Sequence, residues 1–342
     1  MSAIVLTGSS GALGRRVAAR LAAADGIDEV VGLDVTLDPE VAVPQRQVDL
    51  LTDDLSAHLG PGDVVIHTAS VLAPATAHAA GIDVDLTHRV LEAAALAGVT
   101  HLVVVSSATV YGARPENPIP LTEDAPVDPN PGFGFAEAKT RIEALVERFR
   151  VDTPGATVSV LRPTTTLAEQ DASWVSAALM SAAGVRAGDL DPPVQFLHFD
   201  DLAAATVLLA LQQVDGAFNV APDGWIPPDD MRALTGAPRP RVPVAIADRL
   251  ATARWRLGLS DTPPQILPWT MYPWVVANDR LRALGWVPSH TNEEAYVVGT
   301  APGPLDTLSP QRRQELAIGV AAAGIAAVGV GAVAVLRRLR RR

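Results

Sequence analysis

The sequence predicts a doubly wound α/β fold built on a parallel sheet, and three observations carry that prediction. Short apolar runs alternate with Ala/Leu-rich helical stretches through the first half of the chain. The runs lack an apolar/polar alternation, which is the pattern of strands buried on both faces. Three glycines, Gly8, Gly11 and Gly14, sit where the first apolar run passes into the first helical stretch.

The elements follow in order. AIVLT (3–7), EVVGLD (29–34), DVVIHTAS (63–70), HLVVVSS (101–107) and VSVLRP (158–163) read as buried strands. Helical stretches lie between them at 12–24, 83–97 and 135–150. This β-α-β order predicts helices on both faces of the sheet and ligands at the carboxyl ends of its strands. Residues 1–165 are expected to form this domain, its sheet completed by later segments around 190–222. From 166 to 300 prolines and tryptophans become frequent, with Trp255, Trp269, Trp274 and Trp286 all in 250–290. That stretch predicts a smaller, irregular substrate-binding lobe, its tryptophans packed in its core. APGPLDTLSP (301–310) reads as a linker, and 311–342 as an apolar helix with an arginine-rich tail.

Composition narrows the function. An apolar fraction of 48% supports a substantial core, and with no cysteine neither disulfides nor thiolate metal sites can form. The net charge is −11; residues 309–342 hold seven arginines and one glutamate, a local +6, so residues 1–308 carry −17. An acidic body argues against nucleic-acid binding. The amino terminus, MSAIVLTGSSGALG, lacks a basic leader, and a cytoplasmic body is expected.

The glycine turn has a physical reading. One glycine adopts the angles of a tight turn, another lets the backbone approach a pyrophosphate, and a third lets helix and strand pack closely. The helix that follows presents free N–H groups and partial positive charge to phosphates. Asp34 ends the second strand, where a carboxylate accepts hydrogen bonds from an adenosine ribose and repels a 2′-phosphate, which favours NAD over NADP. Asp49 and Leu50 end the third strand, where an adenine edge is read or where they are an ordinary strand end.

On these motifs the chain resembles the extended short-chain dehydrogenase/reductases, specifically the NAD-dependent epimerase/dehydratases, a Rossmann-like family. TGSSGALG resembles their phosphate loop, which implies cofactor contacts from Gly8, Ser10, Gly11, Leu13 and Gly14. DVVIHTAS resembles the strand that ends beside the cofactor at His67, Thr68 and Ala69. DVDLTHRVLEAA is similar to a helix that usually begins Asn-Val, with Asp83 in place of the asparagine. VSSATVYG (105–112) matches the segment with the active-site Ser or Thr, which falls on Ser107. LRPTTTLA, with Pro163 on the cofactor side, and FLHFDDLAAA match two later signatures.

The resemblance also implies a Tyr-x-x-x-Lys pair, in which lysine holds the nicotinamide ribose and lowers the tyrosine pKa so that tyrosinate exchanges a proton. In GFGFAEAKTRIEAL the lysine is Lys139, but the tyrosine position is Phe135. Three readings stay open. Another group supplies the proton, with Ser107, Tyr111 and His198 as candidates; the chemistry needs no tyrosine; or the protein binds NAD as a silent regulator or scaffold. The leading reading is an oxidoreductase- or epimerase-type enzyme with altered proton chemistry, acting on an alcohol or carbonyl.

Nucleotide-sugar members of the family usually place an arginine where Val194 stands, to grip the diphosphate. Valine there favours a small or apolar substrate. His198, Asp200 and Asp201 lack a further His or Cys at ligand spacing, so no metal is expected, and Asp200-Asp201 is expected to cap the helix that follows. The charge-free stretch 316–336 is 21 residues long, about 31 Å as a helix, enough for one bilayer core. It predicts membrane association of a cytoplasmic domain, with a helix docked in a homodimer as the alternative.

Overall fold

Successive side chains of the central strands go to opposite layers. Ile4 and Leu6 pack to one side of the sheet and Val5 to the other; Val64 and Ile66 oppose Val65; Val103 opposes Leu102 and Val104. This two-sided burial is why the strands read as unbroken apolar runs. The computed structural model describes residues 3–70, 77–169, 173–183, 186–235 and 241–300.

Strands β1 (Ile4–Thr7), β2 (Val30–Asp34), β3 (Gln45–Gln47), β4 (Val64–His67), β5 (His101–Val105) and β6 (Thr157–Pro163) belong to one sheet. Three short strands follow, β7 (Thr165–Leu167), β8 (Arg186–Ala187) and β9 (Phe196–His198), and then β10 (Gly216–Val220), which joins that sheet, and β11 (Arg241–Val242). The seven-stranded order is β10-β6-β5-β4-β1-β2-β3, every pair parallel. The order reverses between β1 and β4, the switch point at which such sheets bind ligands.

Helices α1 (Ala12–Ala22) and α5 (Phe199–Gln212) cover one face through Val17, Leu21, Leu202 and Leu209. On the other face α2 (Ala77–Ala97) and α3 (Gly134–Asp152) contribute Leu86, Val90, Ile142, Val146 and Phe149. The rest of the described chain holds α4 (Trp174–Ala182), α6 (Pro228–Thr235), α7 (Val244–Arg256), α8 (Pro268–Met271), α9 (Asp279–Ala283) and α10 (Asn292–Gly299). Trp269 and Trp274 pack with Phe133, Tyr111 and Leu121, and Trp286 packs beneath α1 and α5.

The α/β architecture with a wholly parallel sheet is the one expected, with adjustments. The third strand ends at Gln47, and Asp49 and Leu50 lie in the turn after it, where Asp49 Oδ1 accepts the Leu51 N–H at 2.9 Å. Helix α2 begins at Ala77, before the Asp83 at which the sequence pattern starts it. Of the segments expected to complete the sheet, β10 does so, whereas β9 pairs with β7 in a separate two-stranded ribbon. Asp200 and Asp201 are not the cap of α5: His198 is, its Nδ1 accepting the Asp200 N–H at 3.1 Å, and the two aspartates stand in the first turn. The linker 301–310 and the apolar stretch 316–336 lie outside the described residues. Among the described residues no helix is long and apolar enough to cross a membrane.

Candidate active site

A cleft of about 970 Å³ opens along the carboxyl ends of the parallel strands. Its described lining includes fifteen of the residues singled out from sequence: Gly8, Ser10, Gly11, Leu13, Gly14, Asp34, Asp49, Leu50, His67, Thr68, Ala69, Ser107, Phe135, Lys139 and Pro163.

One end is formed by the glycine turn. Gly8 has φ +76, and a Cβ there would sit 2.5 Å from the Ala69 nitrogen. At Gly14 a Cβ would lie 2.0 Å from the Gly8 oxygen, so strand turn and helix are in backbone contact. Gly11 is the N-cap of α1, and no side chain caps it, which leaves first-turn N–H groups for a ligand. Asp34 accepts the Ser10 N–H on Oδ2 at 2.9 Å and the Thr36 N–H on Oδ1 at 3.1 Å. An ionised carboxylate has about four acceptor sites, so it can also receive ribose hydroxyls. A close-approach glycine cradle, an uncapped helix start and a carboxylate one strand away fit a dinucleotide.

The middle of the cleft is neutral. His67 ends β4, its Nδ1 2.7 Å from Thr7 Oγ1 and its Nε2 3.2 Å from Thr87 Oγ1. Burial, and secondly the Lys139 charge, bring its pKa down to about 3, so the ring is uncharged at neutral pH. Thr68 Oγ1 donates to the Thr7 carbonyl at 2.8 Å, tying β4 to β1 at the switch point.

Lys139 projects from α3 into the other end, nearly buried. Its Nζ donates to the Val105 carbonyl at 3.3 Å and lies 3.8 Å from Asp83 Oδ2. Burial lowers its pKa from the ordinary lysine value, and Asp83 opposes that shift. Asp83 also accepts from Ser70 Oγ at 2.6 Å. Phe135, one turn before Lys139, sets its ring centroid 5.7 Å from Nζ and packs against Phe133 and Trp174 at 5.9 and 6.5 Å. Ser107 caps a short 3-10 turn at 108–111, its Oγ accepting from Thr109 N at 3.2 Å and from Thr109 Oγ1 at 3.0 Å. With two bonds accepted, its own hydrogen is left to donate into the cleft.

The structure separates the three candidates for a replacement proton donor. Ser107 lines the cleft with Lys139. Tyr111 does not: its hydroxyl donates to Asn219 Oδ1 at 2.7 Å and accepts from Arg162 at 2.8 Å, and burial pushes its pKa up to about 12 against the pull of Arg162. Arg162 in turn grips Glu143 through two bonds of 3.0 and 2.6 Å, and Ser106 Oγ donates to the same carboxylate at 2.5 Å. This buried network meets the cleft lining at Ser106. His198 is outside the described lining as well, stacked on His290 with centroids 3.9 Å apart.

Folding brings together what sequence spacing keeps apart. His290 lies 92 residues from His198 in the chain, yet it joins His198 and Asp200 in a cluster of potential metal-ligand atoms within 4.8 Å of one another. The atoms already have partners: His198 Nδ1 accepts the Asp200 N–H, Asp200 accepts from Arg16 Nε at 3.0 Å, and His290 Nδ1 is 3.0 Å from Asp201 Oδ2. Sequence reasoning also missed Thr164, Thr166, Ser173 and Ser176, which line the cleft. The Thr-Thr-Thr run after Pro163 was the available signal. Val194 takes no part in the described lining; it is bridged to Ile226 and packs beside Phe196 and Met231.

Comparison with known proteins identifies the family and the fold. Residues 4–221 match the model of the NAD dependent epimerase/dehydratase family. An uncharacterized protein of Mycobacterium tuberculosis is 25% identical over 311 residues, covering 86% of this chain and 82% of that protein. Another, from Sinorhizobium fredii, is 31% identical over 163 residues, 42% of this chain and 44% of its own length. Among solved structures, the UDP-glucose 4-epimerase of Thermus thermophilus in complex with NAD superposes with a TM-score of 0.64 at 20% identity, over 87% of this chain and 97% of that one. The dTDP-glucose 4,6-dehydratase DesIV of Streptomyces venezuelae gives 0.63 at 18% identity, over 86% and 95%. At such identities the structural likeness speaks for the fold alone.

Proposed function

The chain belongs to the NAD-dependent epimerase/dehydratase family, and from that premise we propose that it is an NAD-dependent epimerase- or oxidoreductase-type enzyme working on an alcohol or carbonyl of a small or apolar substrate, with proton chemistry altered at Phe135. Residues 1–165 hold the cofactor and 166–300 the substrate. NAD, when bound, accepts and returns the hydride of such a reaction. The glycine turn and the start of α1 hold its diphosphate, Asp34 its adenosine ribose, and Lys139 its nicotinamide ribose.

The observation that carries this reading is that Ser107 and Lys139 face the same cleft as the glycine cradle. Ser107 donates its free hydrogen to the substrate oxygen. Of the three candidates Ser107 is the one in the cleft, so it is the group that exchanges the proton the missing tyrosine would have handled, with the Lys139 charge beside it. Burial makes the Lys139 ammonium more acidic than a surface lysine's, and Asp83 opposes that shift. Asp83 keeps the pair near neutrality overall. The described lining holds one lysine, Lys139, and one arginine, Arg15 on α1 beside the glycine turn, and its wall at Phe135 includes Val175 of the same apolar cluster. That wall supports a ligand without a diphosphate.

The test is turnover by purified protein with NAD or NADH on alcohols, carbonyls and nucleotide sugars, read by nicotinamide absorbance and product analysis. Activity lost in Lys139→Ala supports the proposal. Tight NAD binding with no turnover on any class supports the second reading, a catalytically silent NAD-binding regulator or scaffold. The packing of Phe135 into an aromatic cluster with Phe133 and Trp174 favours that second reading.

A further inference from the structure

Helix α7 has two apolar rows on opposite sides. Ala247, Ala251 and Trp255, four residues apart, face the body: Ala247 is buried and the other two half-buried. On the outer side Ile246, Leu250, Ala253 and Leu257 recur at intervals of three and four, the spacing that lines one helical face. Ile246 and Leu250 are each 54% exposed and Leu257 71%. At 3.6 residues per turn, Arg249 and Arg256 flank this row on one side and Arg254 on the other. Single exposed apolar residues need no explanation, but a row in register does.

We propose that α7 is a docking surface for an anionic lipid bilayer, its outer apolar row entering the headgroup–acyl boundary while Arg249, Arg254 and Arg256 engage lipid phosphates. Charge selects this occupant. Residues 244–259 carry three arginines against Asp248, a net +2 on a body whose residues 1–308 carry −17. A second copy meeting this face about a two-fold axis would set arginine flanks against arginine flanks. A bilayer surface offers apolar depth below the row and negative charge on both sides of it at once. The acidic remainder of the body does not forbid approach, because its field is screened beyond about 8 Å at physiological ionic strength, whereas the three arginines lie at the contact.

The chain has no cysteine, so one introduced cysteine is a unique labelling point. In full-length protein a polarity-sensitive dye is placed at Ala253→Cys, in the exposed row, or at Ala22→Cys, exposed on α1. Each is mixed with phosphatidylcholine vesicles with and without phosphatidylserine. The expected result is a blue shift at position 253 with phosphatidylserine and none at position 22. Ile246→Glu removes the shift, and each of Arg249→Gln and Arg254→Gln weakens partitioning about fivefold, the equivalent of about 1 kcal/mol per surface-bound arginine. A silent label at 253 overturns the proposal, including the case in which residues 316–336 alone bring the chain to the vesicle. So does a shift indifferent to phosphatidylserine and to the arginines. A shift that grows with protein concentration in the absence of vesicles overturns it too, by showing a second copy on the face.

Discussion

Lys139 Nζ stands 3.8 Å from Asp83 Oδ2, with both side chains about nine-tenths buried. Where the family resemblance implies an asparagine, this chain has a carboxylate, and where it implies a tyrosine, a phenylalanine. The two changes are complementary. Without a phenol to acidify, the lysine charge gains a direct partner instead. Removing either member leaves the other as an uncompensated buried charge, which typically costs about 3–5 kcal/mol. Lys139→Met and Asp83→Asn are therefore each expected to lower stability in urea denaturation. The double variant recovers part of the loss, with a coupling of about 0.5–3 kcal/mol. Strictly additive losses would show that the two groups do not interact.

The buried histidines set the acid response. Burial brings His67 to about 3 and His101 to about 4, both below the ordinary 6.5. Between those values and 6.5 the unfolded chain binds a proton that the folded chain refuses, so stability rises with pH across the window and falls on acidification. Each histidine contributes up to about 1.4 kcal/mol per pH unit there. His101 touches Thr157 Oγ1 at 2.8 Å and lies away from the cleft. His101→Gln should flatten the dependence between pH 6.5 and 4 by about one proton, measured from urea midpoints at a series of pH values. An unchanged slope would place the charged form of His101 inside the folded protein.

Much of this architecture was legible because it is local. Strand runs, glycine spacing and helix order are short-range patterns, and β1, β2, β4, β5 and β6 fall within a residue or a few of where those patterns put them. The fifteen named site residues share one cleft because a parallel sheet gathers successive strand ends along one edge. What stayed hidden depends on contacts across the chain. The Asp83–Lys139 pair spans 56 positions and the Tyr111–Asn219 bond 108, and no periodicity announces either. The outer row of α7 was hidden differently: its Ile, Leu and Arg pattern reads as an ordinary amphipathic helix until burial shows which side is covered.

The three glycines should part company on substitution. Gly11 has φ −72, and an added Cβ would meet only the Gly8 oxygen, at 3.3 Å. Gly11→Ala is expected to stay within about 1 kcal/mol of the parent in stability while losing about tenfold or more in NAD affinity, because the methyl occupies the side from which a diphosphate approaches. Gly14→Ala would put its Cβ 2.0 Å from backbone and is expected to destabilise the fold by about 1–3 kcal/mol or more, with or without ligand. Calorimetry with NAD and thermal melts on both variants decide it. Equal losses in both would mean the turn is structural only.

Restoring the phenol tests the missing chemistry. Phe135 already has its ring centroid 5.7 Å from Lys139 Nζ, so Phe135→Tyr brings a hydroxyl to the lysine end of the cleft. General acid–base groups contribute about 10²–10⁴ in rate. On a substrate that the parent turns over, Phe135→Tyr is expected to change kcat rather than KM and to introduce a new ionisation in the pH–rate profile. On a protein silent towards every substrate, new turnover in this variant would identify a site complete except for that oxygen. No change in either profile would mean the reacting atoms lie out of reach of position 135.

Thr164 carries the last expectation. It follows Pro163 at the end of β6, keeps its backbone N–H bonded to Val220 O at 3.1 Å, and is 6% exposed, yet its hydroxyl has no partner. A buried hydroxyl left unbonded costs about 1–3 kcal/mol. Thr164 is a lining residue of the cleft at the strand four places along the sheet from Asp34, about 19 Å at 4.8 Å per strand, which is where the nicotinamide half of a cofactor anchored at Asp34 would lie, and its hydroxyl is shut off from solvent in the free protein. Thr164→Val keeps the shape and removes the orphan. The free protein should melt at an unchanged or higher temperature, while NAD affinity falls about five- to tenfold. An analogue with the carboxamide replaced by a methyl ketone should bind the parent and the variant more nearly alike, since the amide donor that Thr164 would meet is gone. If valine instead destabilises the free protein and leaves NAD affinity intact, the hydroxyl serves the fold and not the ligand.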